Sequence, residues 1–117
     1  MPSEAMFVDA CELEASPDDY MNRNIVTDVR IWNSQHGIYA DGDLCPDAAL
    51  WVGMDRTSNP DIFSSVIEAA SEIPEKRPLA RVRGQIAMEN YNLPLTNHVS
   101  PRLQLKIAEV LEVTPAQ

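Results

Sequence analysis

The sequence has few of the residues that metal sites and disulfide frameworks need. It contains two cysteines, Cys11 and Cys45, which form no C-x-x-C pair, and two histidines, His36 and His98, which stand at no ligand spacing. We therefore expect neither a structural metal nor any other cofactor. Two cysteines without C-x-x-C spacing are typical of small apolar thiols in a reducing cytosol. A disulfide between them is the alternative.

Signatures of catalysis and of membrane insertion are also missing. The motifs G-x-S-x-G, H-E-x-x-H and G-x-G-x-x-G and the P-loop do not occur, so we expect no enzymatic activity. No apolar run reaches about 18 residues, the length that a membrane-spanning helix needs. Residues 1–9 have neither a basic n-region nor an apolar h-region, which predicts that there is no signal peptide. The sequence therefore predicts one cytoplasmic domain, residues 1–117, with no membrane partner.

Basic residues are scarce. The chain has 9 Lys and Arg against 18 Asp and Glu, and its net charge is −9. Residues 1–54 hold ten acids and two bases, whereas residues 55–117 hold eight acids and seven bases. The first half is therefore acidic and the second nearly neutral. This balance argues against a protein that coats nucleic acid by charge alone.

Apolar and polar residues alternate in several segments with the period of β-strands. The clearest is residues 24–32, where Ile25, Thr27 and Val29 share one face. The predicted strands are residues 7–13, 24–32, 38–40, 49–55, 78–88 and 102–113, the third of them short, with a long polar loop at 89–101. In the last strand, one face is predicted to hold Leu103, Leu105, Ile107, Leu111 and Val113.

One helix is predicted, at about residues 60–73. Asn59 can cap it, and Pro60 suits the first helical position. Apolar residues then recur at helical spacing. Gly84 interrupts the strand that follows, which predicts a bulge or a sharp bend there.

The order of the elements predicts the fold class. Without the short segment 38–40, three strands, a helix and two strands follow one another, and this is the order of the OB-fold. We therefore expect a mostly β protein, a small OB-fold-like five-stranded barrel with one helix, about 60–73, between strands 3 and 4. The alternative is a small α+β sheet that the same helix covers on one side.

The second half of the chain contains a recognisable sequence of features. Trp51 lies in a strand that leads into the helix, and the next strand reads Ala-Arg-Val-Arg-Gly-Gln-Ile from residue 80 to residue 86. Tyr91 follows, and residues 103–113 form the last strand. This order resembles the second half of bacterial single-stranded DNA-binding proteins, over residues 50–113. The resemblance implies an OB-fold that binds single-stranded nucleic acid, although the acidic first half departs from that family.

Two sets of side chains fit this function. Arg81 and Arg83 alternate along one long strand, as Arg102 and Lys106 do along the last, so paired strands would present four cations to phosphates. Aromatic rings on polar strand faces can stack bases. The candidate nucleic-acid-binding residues are Arg81, Arg83, Arg102, Lys106, Trp32, Trp51 and Tyr91. Since one small domain offers few contacts, a homo-oligomer is also expected.

The acidic half supports a different function. A surface of carboxylates would steer the chain to a basic protein, as in an accessory subunit or a small inhibitor of a nucleic-acid-handling complex. The candidate partner-binding residues are Asp18, Asp19, Asp41, Asp43 and Asp47. A plain solvated acidic rim accounts for the same residues. Non-catalytic binding of single-stranded nucleic acid is the leading hypothesis, and the acidic protein-interaction domain is the alternative.

Overall fold

The computed structural model describes most of the chain, namely residues 5–34, 37–42, 49–54, 57, 59–70, 78–92 and 99–114. Two α-helices, a short 3₁₀ helix and six strands lie in these ranges. In chain order they are β1 (Met6–Phe7), α1 (Ala10–Ala15), the 3₁₀ helix Pro17–Asp19, β2 (Ile25–Ser34), β3 (Gly37–Asp41), β4 (Ala49–Met54), α2 (Ile62–Ala69), β5 (Leu79–Asn92) and β6 (Val99–Thr114). The predicted mostly β architecture is confirmed.

The strands form one six-stranded sheet with a closed circuit of pairings. β2, β3 and β4 pair antiparallel in sequence, and β4 pairs parallel with β6. β6 pairs antiparallel with β5, and β5 pairs antiparallel with β2, which returns the circuit to its start. β1 adds to β2 in parallel at Ile25 and Val26. The helix α2 joins β4 to β5.

The first predicted strand, residues 7–13, is wrong over most of its length. Only Met6 and Phe7 pair with β2, and a helix begins at Ala10. The Asp9 side chain caps this helix by accepting a hydrogen bond from the Cys11 backbone N–H at 2.8 Å. The helix buries Ala10 and Leu13, which are three residues apart and so share one helical face. The described residues therefore contain two α-helices where the sequence predicted one.

The long β5–β6 hairpin differs from its prediction in length. The strands extend to Asn92 and start again at Val99, so most of the predicted loop at 89–101 is paired strand. At the other end, α2 begins at Ile62 and ends at Ala69, inside the predicted range of 60–73. The Asn59 side chain accepts a hydrogen bond from the Asp61 N–H at 3.1 Å, in the turn before the helix. Residues 71–73 of the predicted helix lie outside the described residues.

The core fills the inside of the circuit of strands. Buried side chains from alternate positions of β2, β5 and β6 meet buried side chains of both helices there. From α2 come Ile62, Val66 and Ala69, spaced four and three residues apart. Because every strand of the circuit presents one apolar face to this core, the opposite faces point outward. No helix among the residues that the structure describes is both long and apolar enough to span a membrane.

Gly84 marks an irregularity in the β5–β6 ladder, as predicted. The register shifts twice, between Arg81 and Val82 and between Arg83 and Gly84. At each shift β6 has one extra residue, Leu111 at the first and Ala108 at the second. Each bulge reverses the alternation of faces along β6. Leu111, predicted to lie on the apolar face, is therefore 46% exposed.

The core contains one polar atom without a hydrogen-bond partner in the described structure, the hydroxyl of Thr27 on β2. Thr27 is fully buried, and burying an unpaired hydroxyl costs free energy. We expect Thr27→Val, which keeps the shape of the side chain, to raise the free energy of unfolding by about 1 kcal/mol. Urea unfolding measures this change. Thr114→Val, at an exposed position, is the control, and a loss of stability in Thr27→Val would contradict the expectation.

Candidate functional site

Three aromatic rings form a row across the outward face of the sheet. In the strand register Trp32 on β2 pairs with Tyr39 on β3, and Tyr39 pairs with Trp51 on β4. The ring centroids are 5.8 Å apart for the first pair and 4.7 Å apart for the second, with the ring planes tilted by 45° and 59°. All three side chains are partly exposed. We call Trp32, Tyr39 and Trp51 the aromatic row.

The aromatic row lies opposite the core because of strand alternation. The neighbouring residues Ile31, Ala40 and Leu50 pair with one another in the same way and are buried. The sequence predicted two of the three rings as binding residues, each on its own. Tyr39 falls in the predicted short strand 38–40, but its pairing with both tryptophans depends on the register of β3 and was not predicted. Its spacing of two residues from Gly37, where the strand begins, places both residues on one strand face and is the signal that could have revealed it.

Two glycines on the outward face let long side chains lie close to the strands. Gly37 has a φ of +135°, and a Cβ atom there would lie 3.3 Å from Cζ3 of Trp51. A Cβ atom at Gly53 would lie 2.5 Å from Nε2 of Gln104, which pairs with Trp51 in the register. The Trp51 ring and the Gln104 amide therefore each cover a glycine. We call Gly37 and Gly53 the glycine floor.

Carboxylates lie among the predicted cations Arg81, Arg83 and Lys106. Arg81 donates two hydrogen bonds to Asp28, from Nε at 2.8 Å and from Nη2 at 3.1 Å. Arg83 Nε lies 3.3 Å from Glu109 Oε2, and Lys106 Nζ lies 3.6 Å from Glu89 Oε1. Arg102 pairs with Glu89 in the backbone register, and its side chain lies outside the described structure. The three described cations therefore have carboxylate partners.

Arg81 has the most complete set of contacts. Its guanidinium carbon is 5.4 Å from the centre of the Phe7 ring, in addition to its two bonds to Asp28. The hydrogen bond and the charge of Asp28 raise the pKa of Arg81. A shallow cavity of about 200 Å³ adjoins this arginine, lined also by Leu79, Glu112 and Thr114. The carboxylate of Asp28 and the ring of Phe7 together orient the Arg81 guanidinium, and Asp28 favours its charged form.

The sequence could not reveal these ion pairs because they depend on strand register and on bulges. Simple alternation from Lys106 would place Glu109 on the face opposite the cations. The bulge at Ala108 returns Glu109 to the outward face beside Arg83, and the second bulge places Glu112 opposite Arg81. Asp28 reaches Arg81 because β2 pairs with β5.

The predicted acidic residues do not form one surface in the described structure. Asp18 and Asp19 are exposed in the 3₁₀ helix. Asp41 is only 5% exposed and pairs with Arg30 in the register, unlike Asp18 and Asp19. Asp43 and Asp47 lie outside the described residues.

The 3₁₀ helix itself contains two carboxylates, and a third, that of Glu12, contacts the residue after it. The Tyr20 hydroxyl donates a hydrogen bond to Glu12 at 3.4 Å. Partial desolvation, with the charge of Glu12 second, raises the pKa of Tyr20. We call this 3₁₀ helix the acidic segment. It precedes β2, whereas Trp32 of the aromatic row lies near the end of that strand.

The remaining predicted residues have mixed outcomes. Tyr91 pairs with Ser100 in the backbone of the hairpin, and its side chain lies outside the described structure. Cys11 is disulfide-bonded, so the expectation of a reduced thiol is wrong there. Cys45, the other cysteine of the sequence, and both histidines lie outside the described residues. Within the described ranges no group of three or more His, Cys, Asp or Glu residues could hold a metal ion.

Comparisons with known proteins identify no relative. No protein-family model, no curated protein and no solved structure matches the chain. The fold, the aromatic row and the charges described above are therefore the features from which a function is inferred.

Proposed function

We propose that this chain is a non-catalytic OB-type domain that binds a basic protein partner. The circuit β2–β3–β4–β6–β5–β2, with α2 between β4 and β5, supports the OB-type barrel, because the OB-fold has five strands with one helix between the third and fourth. β1 and α1 are then additions before the barrel.

The observation that carries this proposal is the pairing of the outward cations with carboxylates. Nucleic-acid binding draws most of its affinity from Lys and Arg that neutralise phosphates. Here Arg81, Arg83 and Lys106 each have a carboxylate within 4 Å, so a phosphate would have to displace it. With a net charge of −9, the chain repels a polyanion at long range and attracts a cationic partner.

The disulfide at Cys11 supports the same proposal. Disulfides persist in oxidising compartments and are rare in the cytosol. We therefore propose an oxidising compartment for this domain in place of the cytoplasmic location that the sequence predicted. Most nucleic-acid processing takes place in reducing compartments, so this location also favours a protein partner.

Single-stranded nucleic acid is the second candidate, and the aromatic row favours it. Bases stack on exposed rings with about 1–3 kcal/mol each, without regard to sequence. Trp32 and Trp51 would be the stacking residues. Since Arg81, Arg83 and Lys106 already have carboxylate partners, this binding would depend on stacking and would respond weakly to salt.

Titration of the full chain with two labelled probes separates the candidates. The probes are a basic 12-residue peptide of alternating lysine and serine and a 15-nucleotide oligothymidine, and fluorescence anisotropy measures binding at low and moderate salt. We expect the peptide to bind and to weaken with salt, and the oligonucleotide not to bind at micromolar protein. Saturable oligonucleotide binding without peptide binding would establish the second candidate, and no binding of either probe would overturn both.

A pair of charge variants tests whether the acidic segment takes part. Asp18→Asn with Asp19→Asn removes two charges from the 3₁₀ helix. Asp61→Asn with Glu68→Gln removes the same charge from α2 and the residue before it, where both side chains are exposed. If the segment contacts the partner, the first variant should weaken peptide binding more than the second. Equal losses would mean that only net charge matters.

A further inference from the structure

We propose that the end of β6, residues 111–114, is the edge to which an extended segment of the partner protein adds as a further strand, and that basic and apolar residues alternate along this segment. The inference rests on the proposed function and names both the place of binding and the sequence pattern that binds there. We call residues 111–114 the free edge. Its strand pairing, its exposed side chains and its carboxylate each support this assignment.

The first observation is that β6 has a neighbouring strand on only one side at the free edge. β4 pairs with β6 from Gln104 to Ile107 and no further, whereas β5 pairs with it up to Thr114. In an antiparallel ladder every second residue directs its N–H and C=O away from the neighbouring strand. Among the described residues, nothing outside β5 forms a hydrogen bond to the backbone of residues 111–114. These backbone groups are therefore available to a further strand.

The second observation is the exposure of the side chains along the free edge. The bulge at Leu111 starts this edge, and residues 112–114 then keep an unbroken register with β5. Although α2 also packs against β6, all four side chains are exposed, with Leu111 at 46% and Val113 at 42%. A strand edge that carries exposed aliphatic side chains is prone to pair with another chain. Apolar residues of an added strand would cover both side chains.

The third observation is a local carboxylate that has no ion-pair partner. Glu112 lies opposite Arg81 in the register, but that guanidinium is already bound to both carboxylate oxygens of Asp28. Among the described residues, the Glu112 side chain forms neither an ion pair nor a hydrogen bond. It lines the cavity of about 200 Å³ together with Leu79 and Thr114, so its carboxylate borders open space. A basic side chain of the partner can therefore form an ion pair there.

Strand alternation predicts the sequence pattern of the partner. Glu112 is on the outward face beside Arg81, whereas Val113 pairs with the buried Ala80 and so lies on the opposite face. An added strand would place basic residues beside Glu112 and apolar residues beside Val113, so the two types alternate. A second copy of the chain would instead bring a second Glu112 to the same edge, and like charges on neighbouring strands are unfavourable.

Two 12-residue peptides of equal charge test the inference. In one, lysine alternates with valine, and in the other, lysine alternates with serine; fluorescence anisotropy measures the binding of each to the full chain. We expect the valine peptide to bind at least about threefold more tightly, because its apolar face is also buried. Amide hydrogen exchange of the complex should show added protection within residues 111–114. Protection confined to other parts of the chain would overturn the inference.

Two pairs of matched variants locate the contact. Glu112→Gln should weaken binding of the valine peptide about two- to fivefold, through the loss of one exposed ion pair. Glu14→Gln removes the same charge from an exposed position of α1 and should have a smaller effect. Leu111→Ser should reduce the preference for the valine peptide, whereas Met88→Ser, which removes a 51% exposed side chain from β5, should preserve it. Equal effects within either pair would contradict the assignment of this edge.

The remaining outcomes separate this inference from the proposed function. If neither peptide binds, the proposed function itself is wrong. Equal binding of both peptides overturns the strand edge alone. A dimer of the wild-type chain that Leu111→Ser dissociates in sedimentation equilibrium would show that a second copy occupies the edge, and it would also overturn the inference. Thermal unfolding shows whether each variant is folded, and where one is not, hydrogen exchange of the wild-type complex decides.

Discussion

Replacing Gly84 by alanine is expected to lower the free energy of unfolding by about 3 kcal/mol, which is at the upper end of the cost of overpacking a core. A Cβ atom at this position would overlap the carbonyl oxygen of Lys106 and approach the backbone of Ile107. Gly84 is buried, and it also pairs with Ile25 on β2. Because these contacts are with the backbone of β6, β5 and β6 would have to separate. Urea unfolding measures the loss.

Gly53→Ala is the matched control for this prediction. A Cβ atom at Gly53 would also be too close to its neighbour, but that neighbour is the end of the Gln104 side chain. A flexible side chain can turn away, so we expect a loss below about 1 kcal/mol. If the two variants lose equal stability, close approach of the β5 and β6 backbones is not the reason that residue 84 is glycine.

The second large effect is expected from the disulfide. Cys11→Ser should lower the free energy of unfolding by about 2–4 kcal/mol, because a disulfide restricts the unfolded chain. It should also loosen α1, since Cys11 lies between the buried residues Ala10 and Leu13. Thermal unfolding without reductant measures the change.

Reductant supplies the control for this variant. Treatment of the wild-type chain should lower its stability to that of Cys11→Ser, and the variant itself should not respond. If reductant leaves the wild-type chain unchanged, the disulfide contributes nothing in solution. The argument for an oxidising compartment would then fail.

Much of the sheet could be predicted because its strands obey simple alternation. Residues 24–32 show a strict period of two, and the structure has β2 there. Residues 10–15 could not be assigned in the same way, since the apolar residues Ala10 and Leu13 fit a short helix as well as parts of a strand. The cap at Asp9 and the fit of Leu13 into the core decide between them.

The site was harder to predict than the fold because its members come from different strands. Trp32 and Trp51 were identified as candidates because they lie among polar residues in the sequence. That both contact Tyr39 can be predicted only if the register of three strands is known. The cations were identified from one face of two strands. Their carboxylate partners could not be identified from the sequence. Asp28 lies on a different strand, β2, and Glu109 reaches the cations only because of a bulge in β6.

The ion pairs of β5 and β6 also bear on how the long hairpin finds its alignment during folding. Exposed pairs of this kind add at most about 1 kcal/mol each to stability, but like charges placed directly opposite each other are unfavourable. A slip of β6 that brought Lys106 opposite Arg83 would set two cations together and separate Arg83 from Glu109. The alternating charges therefore disfavour shifted registers of the hairpin that the apolar pattern alone would tolerate.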